Sequence, residues 1–361
     1  GSPCVQGKLL APGPASVLVV SMVGISCLVV GNRKELKALG LALLIVPVGV
    51  LASNALAYHE TYLAPRAQLV ELEQIGEDFA GQAPALMTEG QAELRRRQVP
   101  LLDGSTAEKG AWADTDELVL DPLQEGLLTY RTLVLRRSPA QSRPPSPYEL
   151  MWRGDYYEVW QRPEDFDPAT LIEHKPLGKD LQPAEIPACQ VVAGVASKAG
   201  ANGIVAGAPR GENGVSTFTD VPPDWVPDPV VGSVTPLSDG TASGTIVIPE
   251  SRPYTVFVNG SARGRVSVSI NGEEVGSARN RLNNNAQYIE LDTRDFTAGQ
   301  QTLTLTYEQG GALRPATGGY PFGLGPVVLA PAGDQALVTK VPASDYRQLC
   351  GQRLDWLEAL E

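Results

Sequence analysis

Two long stretches of this chain carry no charged side chain. The first runs from Leu9 to Asn32 and the second from Ala38 to Tyr58. Each has about the length an α-helix needs to cross ~30 Å of hydrocarbon at ~1.5 Å per residue. Pro47 and Asn54 weaken a soluble helix but are tolerated in a membrane span. Only NRKELK, residues 32–37, lies between them, and its Arg33, Lys34 and Lys37 outnumber Glu35. That basic bias marks a cytoplasmic loop. Residues 1–58 therefore read as a membrane α-helical hairpin, with everything from about residue 59 onward outside the cytoplasm. Buried core helices, or a signal peptide for the first stretch, are the competing readings. A signal peptide has a shorter apolar core and is not followed at once by a second span.

Charge divides the chain at the same place. Lys8, Arg33, Lys34 and Lys37 against Glu35 give residues 1–58 a net +3, so the remainder carries −15 of the total −12. So acidic a body excludes nucleic acid as the main partner, because a phosphate backbone needs a basic face. The 361 residues exceed one ordinary domain, and 37 Gly with 30 Pro favour strands and loops over a helical bundle. Cys4 and Cys27 belong to the first span and its approach, leaving Cys189 and Cys350 outside. In an oxidising compartment these two form a natural pair; two unrelated buried thiols are the alternative, since spacing does not fix a bond.

The first outer region, residues 59–185, reads as a small membrane-proximal α/β domain. TYLAPRAQLVELEQIGEDFAGQ sets Leu69, Leu72, Ile75 and Phe79 on a helical stripe, with Gly81 as its stop. PALMTEG reads as a strand, QAELRRR as a helical stretch and YRTLVLRR as a strand with Thr132 to Leu135 at its centre. The four prolines of SPAQSRPPSP make a stiff, extended connector. In YELMWRGDYYEVWQR the tripeptide Arg153-Gly154-Asp155, familiar as an adhesion signal, reads as a hairpin turn in which Gly154 supplies an unusual backbone angle. Residues 163–190 read as a linker or long loop.

The second outer region, residues 186–361, reads as an antiparallel β-sandwich. TASGTIVI, YTVFVNG, RVSVSI, QYIELD, QTLTLTY and PVVLAP are evenly spaced strands, and Asn271-Gly272 is a strong hairpin turn.

Groups for chemistry are sparse. Asp114-Thr115-Asp116 matches a metal-holding D-x-D, yet has no nucleotide-binding βαβ unit around it and reads as a solvated turn. Glu164, Asp165 and Asp167 read as an exposed turn before they read as a cation site. Only His59 and His174 are present, neither in a zinc spacing, and no C-x-x-C or G-x-S-x-G occurs. No metal site and no catalytic residue is assigned. Asn259-Gly260-Ser261 fits a glycosylation acceptor but reads as a turn. The aromatics are the better lead: Trp152, Tyr156, Tyr157 and Trp160 crowd one hairpin, where they either stack on sugar or pack as core. Asn283, Asn284 and Tyr288 offer amides and a ring to a polar ligand, with an Asn-rich turn as the default for Asn283-Asn284-Asn285.

PALMTE, YRTLVLRRSP, SRPPSPYEL and WRGDYYEVWQRP, taken in succession, resemble the membrane-proximal outer domain of bacterial multipass GT-C-type glycosyltransferase-like proteins. The resemblance covers roughly residues 15–163. It implies a multi-pass protein of the bacterial cell membrane, acting in cell-envelope glycan assembly with a polyprenyl-phosphate sugar as donor. The family's catalytic acid sits in an outer loop near its first membrane helix, and no such loop is present here. The resemblance thus implies the C-terminal part of a larger protein, with no cofactor of its own and with the bilayer, upstream membrane helices and a glycan acceptor as partners. SVSINGEEVGS further resembles a strand pair of jelly-roll carbohydrate-binding modules. The alternative expectation is a membrane-anchored envelope protein, carbohydrate-binding or structural, without enzymatic activity.

Overall fold

The computed structural model describes residues 12–30, 33–59, 66–87, 127–229, 232–262, 264–279, 281–309, 323–334 and 337–361, and omits the side chains of 12–20, 53–59, 262 and 282–286. Asp114, Asp116, the QAELRRR stretch and Cys4 lie outside the described residues. The chain divides into two units, residues 1–61 with 311–319, and the rest. It folds as a helical hairpin, a small α/β unit and an antiparallel, jelly-roll-like β-sandwich.

In the first unit, α1 (Pro12–Val30) turns back into α2 (Lys34–His59). The helices approach closely where α2 carries Gly40: a methyl there meets Val29 Cγ2 at 2.9 Å and Leu28 Cβ at 3.0 Å. Lys34–Ala52 of α2 is long and apolar enough to cross a membrane, and Ser21–Val30 of α1 is a shorter apolar run. Ile45, at 72% exposure, and Val46, at 62%, point outward. An apolar surface turned outward suits lipid and is costly in water.

The α/β unit has four layers. Helix α3 (Arg66–Asp78) covers one face of a mixed sheet of β1 (Ala85–Met87), β2 (Thr132–Arg136), β4 (Tyr157–Gln161) and β3 (Glu149–Arg153), in that order. Alternation decides the sides. Ile75 meets Met87, Val134, Tyr157 and Val159 on the helix side. Leu86, Leu133, Leu135 and Trp160 face the other way, onto Ala206, Ala208, Trp356 and Leu360 of a second sheet. That sheet is antiparallel, ordered β17 (Thr339–Pro342), β6 (Ile204–Pro209), β18 (Leu354–Leu360), β5 (Leu171–Pro176). Its far face is closed by α4 (Cys189–Ala199) through Val192, Val195, Val205 and Leu357. Cys189 at the start of α4 is bonded to Cys350, which follows the 3-10 turn Ala343–Leu349.

The sandwich is an insertion between β6 and β17. Its strands are β7 (Gly214–Asp220), β8 (Val226–Asp228), β9 (Ser233–Thr235), β10 (Gly240–Ile248), β11 (Arg252–Ala262), β12 (Arg265–Ile270), β13 (Glu273–Arg279), β14 (Leu282–Phe296), β15 (Gly299–Glu308) and β16 (Leu324–Pro331). One sheet runs β13-β12-β15-β10-β7, and β7 bends across to lead β16-β11-β14 of the other. Val266, Val268, Leu303, Leu305 and Ile246 from the first sheet meet Val256, Val258, Ile289, Val327 and Leu329 from the second. The β12–β13 turn has Asn271 at φ 53° and Gly272 at φ 82°, the left-handed pair that an Asn-Gly hairpin requires.

Two expectations change. The boundary at 185/186 does not divide the layers, because α4, β6, β17 and β18 belong with β5 in the α/β unit. The expected linker at 163–190 contains β5 itself, an edge strand that pairs with β18 from the far end of the chain.

Candidate functional site

The Arg153-Gly154-Asp155 turn joins β3 to β4, as a hairpin closed by Gly154 N–H donating to Tyr157 O at 2.9 Å. Glu71 on α3 reaches up to it. Its carboxylate accepts from the backbone N–H groups of Asp155 (2.9 Å), Tyr156 (2.9 Å) and Tyr157 (2.7 Å). Burial raises the Glu71 carboxyl above its ordinary value, and these three donors oppose that. Gly154 is required for a reason other than a special backbone angle. It is absent from the left-handed glycines, and a methyl there collides with the Glu71 carboxylate and the Trp152 indole. Both charged arms of the tripeptide are engaged. Arg153 Nε bonds Glu158 at 3.0 Å, while Asp155 receives Arg281 Nη2 from the sandwich at 2.5 Å. Arg281 also lies over the Tyr156 ring, 5.6 Å from its centroid. The turn is a joint between sandwich and α/β unit, with no free tripeptide presented.

The aromatic candidates lie in the same joint. Tyr157 is fully buried, with Gln68 Nε2 donating to its hydroxyl at 2.7 Å. Tyr156 and Trp160 are buried, and Trp152 is half-buried against the core of β2, β4 and α3. Tyr288 is buried with Phe257, Val328 and Ala330 on the outer face of the β16-β11-β14 sheet. Packing thus occupies the rings of Tyr156, Tyr157, Trp160 and Tyr288, and stacking on a sugar is not open to them here. Asn283 and Asn284 are strand residues paired with Ser261 and Gly260, and the register slips between Asn284 and Tyr288. The expected Asn-rich turn is a strand. Asn259 is buried on β11, which removes it as a glycosylation acceptor. Glu164 pairs with Arg131 at 3.2 Å and Asp167 caps a 3-10 turn through Ala169 N–H at 3.0 Å. Among the described residues no cluster of three His, Cys, Asp or Glu is placed to hold a metal.

Sequence reasoning missed the polar groups of β18. Both faces of this strand are buried, yet it carries Asp355 and Glu358, each fully buried. Asp355 accepts from Ser142 Oγ (2.5 Å), Arg143 Nε (3.0 Å) and Arg210 Nη1 (3.0 Å). Arg143 also donates to the carbonyls of Asp334 (2.7 Å) and Pro209 (2.9 Å), and burial pushes its guanidinium below the ordinary value against the pull of Asp355. Glu358 meets His174 Nδ1 at 2.7 Å and accepts from Ser146 N–H at 2.9 Å. The proline-rich connector is therefore fastened to β18 at Ser142, Arg143 and Ser146. Two clefts flank it, with room for little more than a water each, about 30 and 40 Å³. This is a structural clasp, too closed to admit a ligand.

The open surface of the molecule is elsewhere. The β16-β11-β14 sheet is held to the α/β unit, where Arg137 ion-pairs with Glu290 and lies over the Phe257 ring at 5.7 Å. The outer face of the β13-β12-β15-β10-β7 sheet has no such cover among the described residues. Register brings Ser277, Ser267, Thr306 and Thr241 into one row across four strands. Ser269, Thr304 and Ser243 form the next, and Thr302, Thr245 and Thr217 the third. All are exposed or half-exposed. Neighbouring positions therefore stand about 4.8 Å apart along a row, with about 6.7 Å between rows. Thr241 and Thr306 bond each other at 3.0 Å and Thr302 donates to Asn271 at 3.2 Å. The other seven hydroxyls have no side-chain partner among the described residues.

No family model matches the chain, and no curated protein matches it. Solved structures are similar to parts of it. The GH26-CBM35 β-(1,4)-mannanase of Podospora anserina shares 17% identity over 37% of this chain and 28% of its own, with a TM-score of 0.21. The CBM36-1 domain of a multidomain xylanase from the hindgut metagenome of Trinervitermes trinervoides shares 14% over 34% of this chain and 98% of its own, with a TM-score of 0.24. A family 35 carbohydrate-binding module from Clostridium thermocellum shares 15% over 32% and 91%, with a TM-score of 0.21. The fold assignment rests on the strand order and register described above.

Proposed function

We propose that this chain is a membrane-anchored envelope protein whose sandwich binds carbohydrate outside the cytoplasm, without chemistry of its own. One observation carries the reading: the two outer faces of the sandwich have opposite fates. One is fastened to the α/β unit, and the other carries ten hydroxyls in register, seven of them without a side-chain partner among the described residues. The disulfide supports an oxidising compartment. Affinity electrophoresis of the full chain in detergent micelles, through gels carrying a panel of polysaccharides, tests this. Retardation by at least one glycan is expected; free migration through all of them removes the reading.

The second reading keeps the glycosyltransferase resemblance. Here residues 1–58 are two of several membrane spans, and the outer domains position an acceptor or brace the membrane part of a polyprenyl-phosphate-sugar-dependent enzyme. The paired apolar helices favour it. Residues 1–361 alone should then give no turnover with a polyprenyl-phosphate sugar and an envelope glycan, and measured transfer would refute the absence of a catalytic centre.

A further inference from the structure

We infer that the open face of the β13-β12-β15-β10-β7 sheet takes a neutral, unbranched polysaccharide lying flat across the strands. The inference rests on the carbohydrate-binding reading and names its surface and its ligand class. The central pairings, β12 with β15 and β15 with β10, run without a register shift, so the hydroxyl rows stay aligned. Each free hydroxyl is both donor and acceptor, which matches a ligand whose own surface is mostly hydroxyl.

Charge selects the ligand further. The centre of the three rows carries no ionised side chain, while the second row ends in Glu274 opposite Ser269 and Asp220 opposite Ser243. Arg265 is paired with Glu274 at 3.1 Å, and Glu308 adds acid. A polyanion laid on this face finds no counter-charge in the rows and meets a body of net −15 (the whole-chain −12 less the +3 of residues 1–58). A neutral chain meets neither obstacle. An exposed sheet face with hydroxyls repeating in register favours an extended chain contacted at repeated points over a single enclosed sugar.

The test uses the full chain in detergent micelles, electrophoresed through gels containing hydroxyethylcellulose, glucomannan or polygalacturonate. Thr245→Val with Thr304→Val removes two central hydroxyls at constant size and keeps strand propensity. Ser269→Lys places a cation among them. Thr293→Val on the other sheet is the control. Expected are retardation by a neutral glycan, roughly tenfold weaker in the double valine variant, lost in Ser269→Lys and unchanged in Thr293→Val, with no retardation by polygalacturonate. Matching thermal melts show that the variants fold. Neutral binding that survives both face variants overturns this surface while leaving the sandwich a glycan binder. Binding of polygalacturonate alone overturns the ligand class. No binding at all overturns both readings. A self-associated protein dissociated by Ser269→Lys, with no glycan bound, assigns the face to a second copy and overturns the inference.

Discussion

Glu71 and Gly154 act as one device. Three backbone N–H groups of a tight turn converge on one carboxylate, and the turn lets the carboxylate approach because residue 154 has no side chain. Hydrogen bonds to an ionised group contribute more than neutral ones, so Glu71→Ala should cost about 2–3 kcal/mol in chemical unfolding. Gly154→Ala should cost about 1–3 kcal/mol by displacing that same carboxylate. The two costs should not add. In the Glu71→Ala background the added methyl meets only the Trp152 indole, and a double-mutant cycle should return a coupling of ~1 kcal/mol or more. Additive losses would mean that Gly154 answers to Trp152 alone. The sequence showed that residue 154 is special within a hairpin. It did not show why, since the group that crowds it lies more than eighty residues upstream.

Strand β18 is the element on which the α/β unit depends. Its seven residues are all buried, so it lacks the alternation by which half-buried strands are recognised. Two of those residues are carboxylates, which local reading places in solvent. Their partners Ser142, Arg143, Ser146, His174 and Arg210 lie some 145 to 213 positions away, and no short-range pattern points to them. By contrast β10, β12 and β15 were legible from alternation, and the β12–β13 turn from Asn271-Gly272, because water on one side of a sheet writes a period of two into the sequence. The Asp355 clasp gives a sharp prediction. Asp355→Asn leaves the buried Arg143 guanidinium without its charge partner and should destabilise the protein by about 3–5 kcal/mol, the cost of breaking a buried pair from one side. Asp165→Asn, on an exposed loop, should change stability by less than ~0.5 kcal/mol in the same urea titration.

At the scale of the whole molecule, composition announced the division into units. An apolar, basic beginning and an acidic, strand-rich remainder demand different surroundings. The outward Ile45 and Val46 of α2 make this testable. Lysine near the centre of a span costs about 2.5–3.5 kcal/mol on insertion scales, so Ile45→Lys with Val46→Lys should release much of the protein from the membrane fraction on flotation with liposomes. An unchanged distribution would show that α2 alone does not hold the chain there. The order of domains along the chain was less legible. A sandwich inserted within an α/β unit leaves no mark at its boundaries, since β6 and β17 are short strands whose partnership appears only after residues 210–338 have folded away between them.

That insertion has a mechanical consequence. The two chain crossings to the sandwich leave side by side, from the ends of β6 and β17 where Gly207 pairs with Thr339. A tug on the sandwich therefore loads this antiparallel pair at one end, the geometry in which hydrogen bonds part singly at low force. Behind the pair stands the Cys189–Cys350 bond, which ties the chain upstream of one strand to the chain downstream of the other. The zip can open only as far as that knot. Force beyond it must part β6 from β18, its partner on the other edge, so the β6–β17 pair is a sacrificial catch.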